Sequence, residues 1–175
     1  ALLILLIVLV WAVFPGLFTG FDPISGSAKE ALKPPSALHW FGTDATGRDL
    51  YARVVHGARH SLSAGAAAVG IGFVVGTLLG VIAGARPGIV DDIIMRLVDV
   101  LLAIPGLLLS LSVVILLGFG TTNAAIAVGL TSIATFARLA RSRVVSVSTS
   151  DFVEAAYGSG GTFWSVLGRH VLPNS

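Results

Sequence analysis

The sequence predicts an all-α polytopic membrane protein, and three observations carry that prediction. Hydrophobic residues make up 55% of the chain and charged ones 11%, with a mean hydropathy of +0.93, whereas a soluble domain is about a quarter charged. Three runs, 1–18, Ser61 to Ala85 and Val100 to Ala137, carry no charge at all, and a membrane-spanning helix needs about 20 such residues. The basic residues gather at the ends of these runs rather than along one stripe. A net charge of +2 gives no case for nucleic acid. The lack of cysteine removes disulfides, thiolate metal sites and cysteine nucleophiles.

Residues 1–18 read as a first transmembrane helix, with Trp11 and Phe14 as interface anchors. The run lacks the basic start and small-residue cleavage site of a signal peptide. Because it is already under way at Ala1, the expectation is that the start of the chain is missing. Residues 19–60 are polar and proline-bearing, a linker outside the bilayer. Within it Gly42-Thr43-Asp44-Ala45-Thr46-Gly47-Arg48-Asp49 combines turn and cap formers with a short interfacial helix opening at Arg48 and Asp49. A structural role is the expected one. His56 and His60 share a helix face at metal-ligand spacing, but no third ligand lies within sequence reach, so no metal is assigned.

The second span, about 61–85, places Gly72, Gly76, Gly80 and Gly84 at every fourth position, extended backward by Ala68 and Ala64. On a helix these form one smooth ridge against which another helix can pack closely. Gly70-x-Gly72 is no dinucleotide fingerprint, since no strand precedes it. After the Arg86-Pro87-Gly88 turn, Asp92, Arg96 and Asp99 stand at spacings of four and three, which predicts an ion ladder along the helix start. The long uncharged run that follows must fold back. The turn falls at Gly118 to Asn123, giving a third span over 97–118 kinked at Pro105 and a fourth over 122–138. Arg138, Arg141 and Arg143 are the strongest positive cluster and mark the cytoplasmic side. Counting back makes Arg86 to Arg96 cytoplasmic, Phe21 to His60 extracytoplasmic and the N-terminus cytoplasmic.

The segment 151–173 is polar and interrupted by glycine. Asp151 can cap a helix with Glu154 in its first turn, Ala155 and Ala156 offer a ledge of little bulk, and Gly158, Gly160 and Gly161 break the helix. Thr162 can cap a second helix through Phe163, Trp164, Val166 and Leu167 that stops at Pro173. Such a helix-turn-helix suits helix-in-groove recognition; an amphipathic hairpin on the membrane surface is the alternative.

Glu154-Ala155-Ala156, Gly160 and the closing His170-Val171-Leu172-Pro173 resemble the EAA loop of ATP-binding-cassette (ABC) import permeases, the loop that docks into the partner ATPase. His170 stands where that pattern has an aliphatic residue, a form similar to the oligopeptide and dipeptide branch. The GTDxxGRD string at Gly42 to Asp49, followed by Gly57-Ala58-Arg59-His60-Ser61-Leu62, resembles the same branch, as does Met95-Arg96-Leu97-Val98-Asp99 leading into Ala103-Ile104-Pro105. From about Trp40 onward the chain is therefore similar to the permease C type of these importers.

That resemblance implies an ABC type I importer transmembrane domain over 61–175, with four of six spans present, in a bacterial inner membrane. It implies a coupling loop of Asp151, Glu154, Ala155, Ala156, Gly160, Gly161, Leu172 and Pro173. The implied partners are two ATP-binding subunits, a second homologous permease and an extracytoplasmic solute-binding protein. The cargo would be di- or oligopeptides, moved by alternating access. No cofactor is expected in this chain and no catalytic group. Gly158-Ser159-Gly160-Gly161 lacks the Lys-Ser/Thr of a P-loop, and none of His39, His56, His60 and His170 sits in a span beside a nucleophile. Two rival readings stay open: the same family carrying nickel or another small solute, and a membrane scaffold or channel outside it.

Overall fold

The computed structural model describes residues 2–175 and divides them into two compact units, Ala1–Gly65 and Ala66–Ser175. Seven α-helices occur among the described residues: α1 (Leu2–Val13), α2 (Leu50–Ala85), α3 (Ile89–Ala103), α4 (Gly106–Leu117), α5 (Thr121–Ser148), α6 (Asp151–Gly158) and α7 (Phe163–Val166). Of these, α2 and α5 are each long and apolar enough to cross a membrane, and the bent pair α3 and α4 makes a third crossing if taken as one.

In the first unit α1 is shorter than the 1–18 span expected from hydropathy. Its 12 residues reach only about 18 Å at 1.5 Å per residue. Pro15 ends it by supplying no N–H and by forcing Phe14 out of the helical region (φ −128°, ψ 59°). The polar linker is built around two carboxylates of the GTDxxGRD string. Asp44 Oδ1 accepts from the backbone N–H groups of Thr46 (2.8 Å) and Arg48 (3.0 Å), and Oδ2 accepts from Arg48 Nε (2.8 Å) and Arg53 Nη1 (2.7 Å). The Arg48 N–H and the Thr46 hydroxyl hold the Asp44 carboxyl well below the usual carboxylate range. Asp49 caps α2 by accepting from the Ala52 N–H at 2.6 Å. Its other oxygen takes His39 Nδ1 at 2.8 Å, with both side chains buried.

The two glycines of the string are fixed by their surroundings. Gly42 and Gly47 have φ of +76° and +77°, and a Cβ at either would stand 2.5 Å from the Lys33 carbonyl or 1.9 Å from that of Ser27. The string thus builds a turn and a helix cap. Helix α2 then runs from this cap for 36 residues, so the short interfacial helix and the second span are not separate elements.

In the second unit the glycine ridge of α2 lies on α5. A Cβ at Gly72 would stand 2.4 Å from Ser132 Cβ, at Gly76 2.5 Å from the Ile133 carbonyl oxygen, at Gly80 2.3 Å from that of Ala137, and at Gly84 2.9 Å from Val144 Cβ. Contacts advance together along both helices, so α2 and α5 run parallel and end on the same side. Phe73 and Phe136 meet edge to face at 5.6 Å beside the ridge.

The third span, expected over 97–118 with a kink at Pro105, is broken there into two helices. Ile104, driven to an extended conformation by the proline after it (φ −87°, ψ 127°), separates α3 from α4, and the two helices are bent by 91°. Neither half, at 15 and 12 residues, reaches the roughly 20 that a crossing needs. Asn123 closes the turn into α5 by donating its amide to the carbonyls of Leu117 and Gly118, each at 2.9 Å. Helix α5 runs to Ser148, well past the 122–138 expected, because Arg138 to Ser148 continues the helix beyond the uncharged part of the run.

Two measurements check this account. Gly80→Ala should destabilise the chain by about 1–3 kcal/mol, the usual range for overpacking, whereas Gly70→Ala, which meets nothing within 4 Å, should be neutral or slightly stabilising in thermal unfolding in detergent. Equal unfolding temperatures for the two would contradict the helix contact. Asp44→Asn should loosen the linker, seen as faster amide exchange at Thr46 and Arg48 at neutral pH. Since the folded pKa of Asp44 is depressed, its contribution is complete above the ordinary aspartate value of about 3.9 and fades as pH falls through the folded value. The difference between Asp44→Asn and the parent should therefore persist at neutral pH and shrink only in strong acid.

Candidate functional site

Helix α6 starts one residue earlier than an Asp151 cap requires. Ser150, in extended conformation, holds the N-cap position, and its hydroxyl donates back to the Val147 carbonyl instead of capping. Asp151 and Glu154 consequently both lie in the first turn, where acidic side chains meet the positive end of the helix dipole.

The two faces of α6 differ sharply. Val153 and Ala156, three apart, point inward: Val153 joins a buried cluster with Val144, Val166, Leu167 and Val171, and Ala156 packs against it. Asp151, Glu154, Ala155 and Gly158 follow an i, i+3, i+4, i+7 pattern and are exposed. This outward face is acidic at its start and narrow along its length, flanked by the exposed rings of Phe152 and Tyr157. Neither Asp151 nor Glu154 is engaged in an ion pair among the described residues.

Two main-chain bonds close the helix. The Gly161 N–H donates to the Ala156 carbonyl at 3.0 Å, and the Gly160 N–H to that of Tyr157 at 2.9 Å. With Gly160 at φ +86°, this is the Schellman arrangement, in which a left-handed residue just past the helix end lets two N–H groups fold back. Gly161 is required for another reason: a Cβ there would stand 2.7 Å from both the Ala156 carbonyl and Val166 Cγ2.

Thr162 takes the N-cap position of α7, but its side chain makes no capping bond. The second helix does not run evenly to Pro173. It widens to a π-helical stretch over Leu167–Val171 and tightens to a 3-10 turn over Leu172–Asn174 that contains Pro173. Leu167 and Val171 are buried by this widening. Arg169 and His170 stay exposed.

Behind the loop, charges pair between helices and not along one. The expected ladder of Asp92, Arg96 and Asp99 does not form: Asp99 accepts from Arg138 Nη2 at 2.5 Å, and among the described residues Arg96 makes no ion pair. Asp91, which the ladder omitted, is buried and takes Arg141 Nε and Nη2 on its two oxygens, a bidentate pair. Asp91 stands seven residues before the buried Val98 and so lies on the face of α3 that packs on α5, where an unpaired carboxylate would be costly. That position relative to the apolar stripe was the available signal.

No group of three or more His, Asp or Glu side chains among the described residues could hold a metal ion. His56 turns its Nδ1 to the Ala52 carbonyl at 2.9 Å. What the second unit offers is a firmly seated helix with a slim acidic outer face.

Comparison with known proteins places these features in a family. Residues 76–175 match the family described as binding-protein-dependent transport system inner membrane component. The chain is 44% identical over 141 residues to the glutathione transport system permease protein GsiD of Pectobacterium atrosepticum, covering 81% of this chain and 47% of that protein. It is 40% identical over 164 residues to the dipeptide transport system permease protein DppC of Alkalihalophilus pseudofirmus, covering 94% and 54%. To the probable D,D-dipeptide transport system permease protein DdpC of Escherichia coli it is 39% identical over 175 residues, covering 100% and 58%. The chain thus spans about half the length of the curated relatives it matches. With more than half of its residues inside the family match and its apolar helices built for a bilayer, the chain belongs to the inner membrane components of binding-protein-dependent transport systems.

Proposed function

We propose that this chain is part of the membrane-spanning permease subunit of an ATP-driven importer of small peptides, and that α6 is its contact with a separate ATP-binding subunit. The observation that carries this reading is the outward face of α6 in a member of this family. A short helix with Ala155 and Gly158 on that face enters a groove where bulkier side chains would clash, and Asp151 with Glu154 can meet a basic partner. The remaining partners are a second ATP-binding subunit, a second homologous permease and an extracytoplasmic solute-binding protein. Hydrolysis belongs to the ATP-binding subunits.

Closure of the ATP-binding subunits would displace α6. Because Val153 and Ala156 join α6 to the cluster around Val144 and Val81, that displacement would pass to α5 and α2, which move as one body where their backbones touch. The result is alternating access of the pathway. Relatives named for dipeptide and glutathione transport favour a peptide cargo over nickel for this chain.

The arginines at the shared end of α2 and α5, Arg86, Arg138, Arg141 and Arg143, support a cytoplasmic position for that end and for the coupling loop, and with residues 1–18 as a first crossing the reading extends to the N-terminus. The chain has no cysteine, so Ser148→Cys gives a clean probe. It should resist an impermeant maleimide added outside intact cells and react in inverted vesicles; labelling from outside would reverse the topology.

Coupling is tested in the full-length complex in proteoliposomes. Glu154→Lys reverses charge at the docking face, and Gly160→Val places a β-branched residue at a positive φ. Both should leave the subunit inserted, lower uptake at least about tenfold and loosen the ATP-binding subunits, a loss of about 1.4 kcal/mol or more of coupling. Full uptake with full ATPase association in both variants would leave α6 as a membrane-surface hairpin. Labelled dipeptide, glutathione and nickel, offered separately to the parent complex, decide the cargo.

A further inference from the structure

Arg86 is the first charged residue after the uncharged run Ser61 to Ala85, and it stands directly after the last residue of α2. In a helix that crosses a bilayer this is the level at which hydrocarbon gives way to headgroups. Its guanidinium has no carboxylate partner among the described residues. It stands instead 5.7 Å over the ring of Trp164, a side chain 68% exposed. Beneath the two lies a cavity of about 310 Å³ walled by Val81, Ile82, Ala85, Phe163 and Leu167.

A lone cation over an apolar trough, with an amphipathic aromatic at the rim, matches the cross-section of a phospholipid: phosphate, glycerol, then acyl chain. We propose that this groove binds an anionic phospholipid, with its phosphate on Arg86, the Trp164 indole N–H as second donor, and the upper acyl chain against Val81, Ile82, Phe163 and Leu167. A peptide segment fits less well, because among the described residues Arg86 is the only charged group lining the groove and a main chain laid there would leave its polar groups unpaired. A zwitterionic headgroup is disfavoured because its ammonium would come beside Arg86 with no carboxylate in the lining to receive it. The lipid would bridge the end of α2 to the helix that follows the coupling turn, so the site belongs to the membrane face of the loop and not to the outer face of α6.

The test uses the full-length permease complex in nanodiscs of mixed phosphatidylcholine and phosphatidylglycerol, in which one or the other lipid carries brominated acyl chains. The fluorescence lost on Trp164→Phe isolates the signal of Trp164. Bromo-phosphatidylglycerol should quench that signal at about a fivefold lower mole fraction than bromo-phosphatidylcholine, as expected for one cation near the surface. Arg86→Gln should bring the two lipids to parity, and raised salt should do the same in the parent, which keeps the test valid if that variant fails to assemble. Equal quenching by both lipids in the parent would mean annular lipid and no site. No quenching by either would mean that protein covers the groove. A preference that survives both Arg86→Gln and high salt overturns the assignment to Arg86.

Discussion

Backbone contact between α2 and α5 is the constraint on which the second unit depends. Dispersion forces act over a few tenths of an ångström, and inside a bilayer there is no hydrophobic gain from pressing one apolar helix on another. Close approach is what remains, and four glycines on one face supply it. Because the two helices are parallel and touch through main chain at every turn from Gly72 to Gly84, sliding by one residue would drive a side chain into a carbonyl. The register is therefore set, and with it the places at which Arg138, Arg141 and Val144 emerge.

From that placement the rest follows in steps. Arg141 meets Asp91 and Arg138 meets Asp99, which settles α3 across α5, with Val98 and Ala134 in the core between them. Val144 emerges one turn further on and seeds the cluster that receives Val153, Val166 and Val171. The loop thus rests on the end of the helix pair through apolar packing, while its polar face stays outward. Seating uses one side of an eight-residue helix and leaves the opposite side free for the proposed docking.

Features written at short range were legible in the sequence. The fourfold glycine spacing marked a packing face because a helix repeats in that interval, and the glycines after Tyr157 marked a turn because left-handed backbone favours them. Charge partners were not legible. Arg138 and Asp99 are 39 residues apart, and Arg141 and Asp91 are 50, so local spacing favoured Asp92, Arg96 and Asp99 instead. The sharp break at Ile104 was hidden for a similar reason: a proline announces an interruption, but the angle is set by what each half packs against. The N-cap fell to Ser150 and not Asp151 because both are good cap residues in adjacent positions, and helix ends are decided by the packing of Val153.

The turn after α6 is closed by main-chain bonds, by the Ser159 hydroxyl donating to the Ala155 carbonyl at 2.8 Å and by a tight contact at Gly161, and none of the Asp151, Glu154 and Ala155 side chains takes part. Architecture and address are then separate properties of the same short segment. Under the docking proposed for α6, Asp151, Glu154 and Ala155 could be rewritten to suit a different cognate subunit without disturbing the scaffold that presents them, and the loop would be exchanged or retargeted as a cassette.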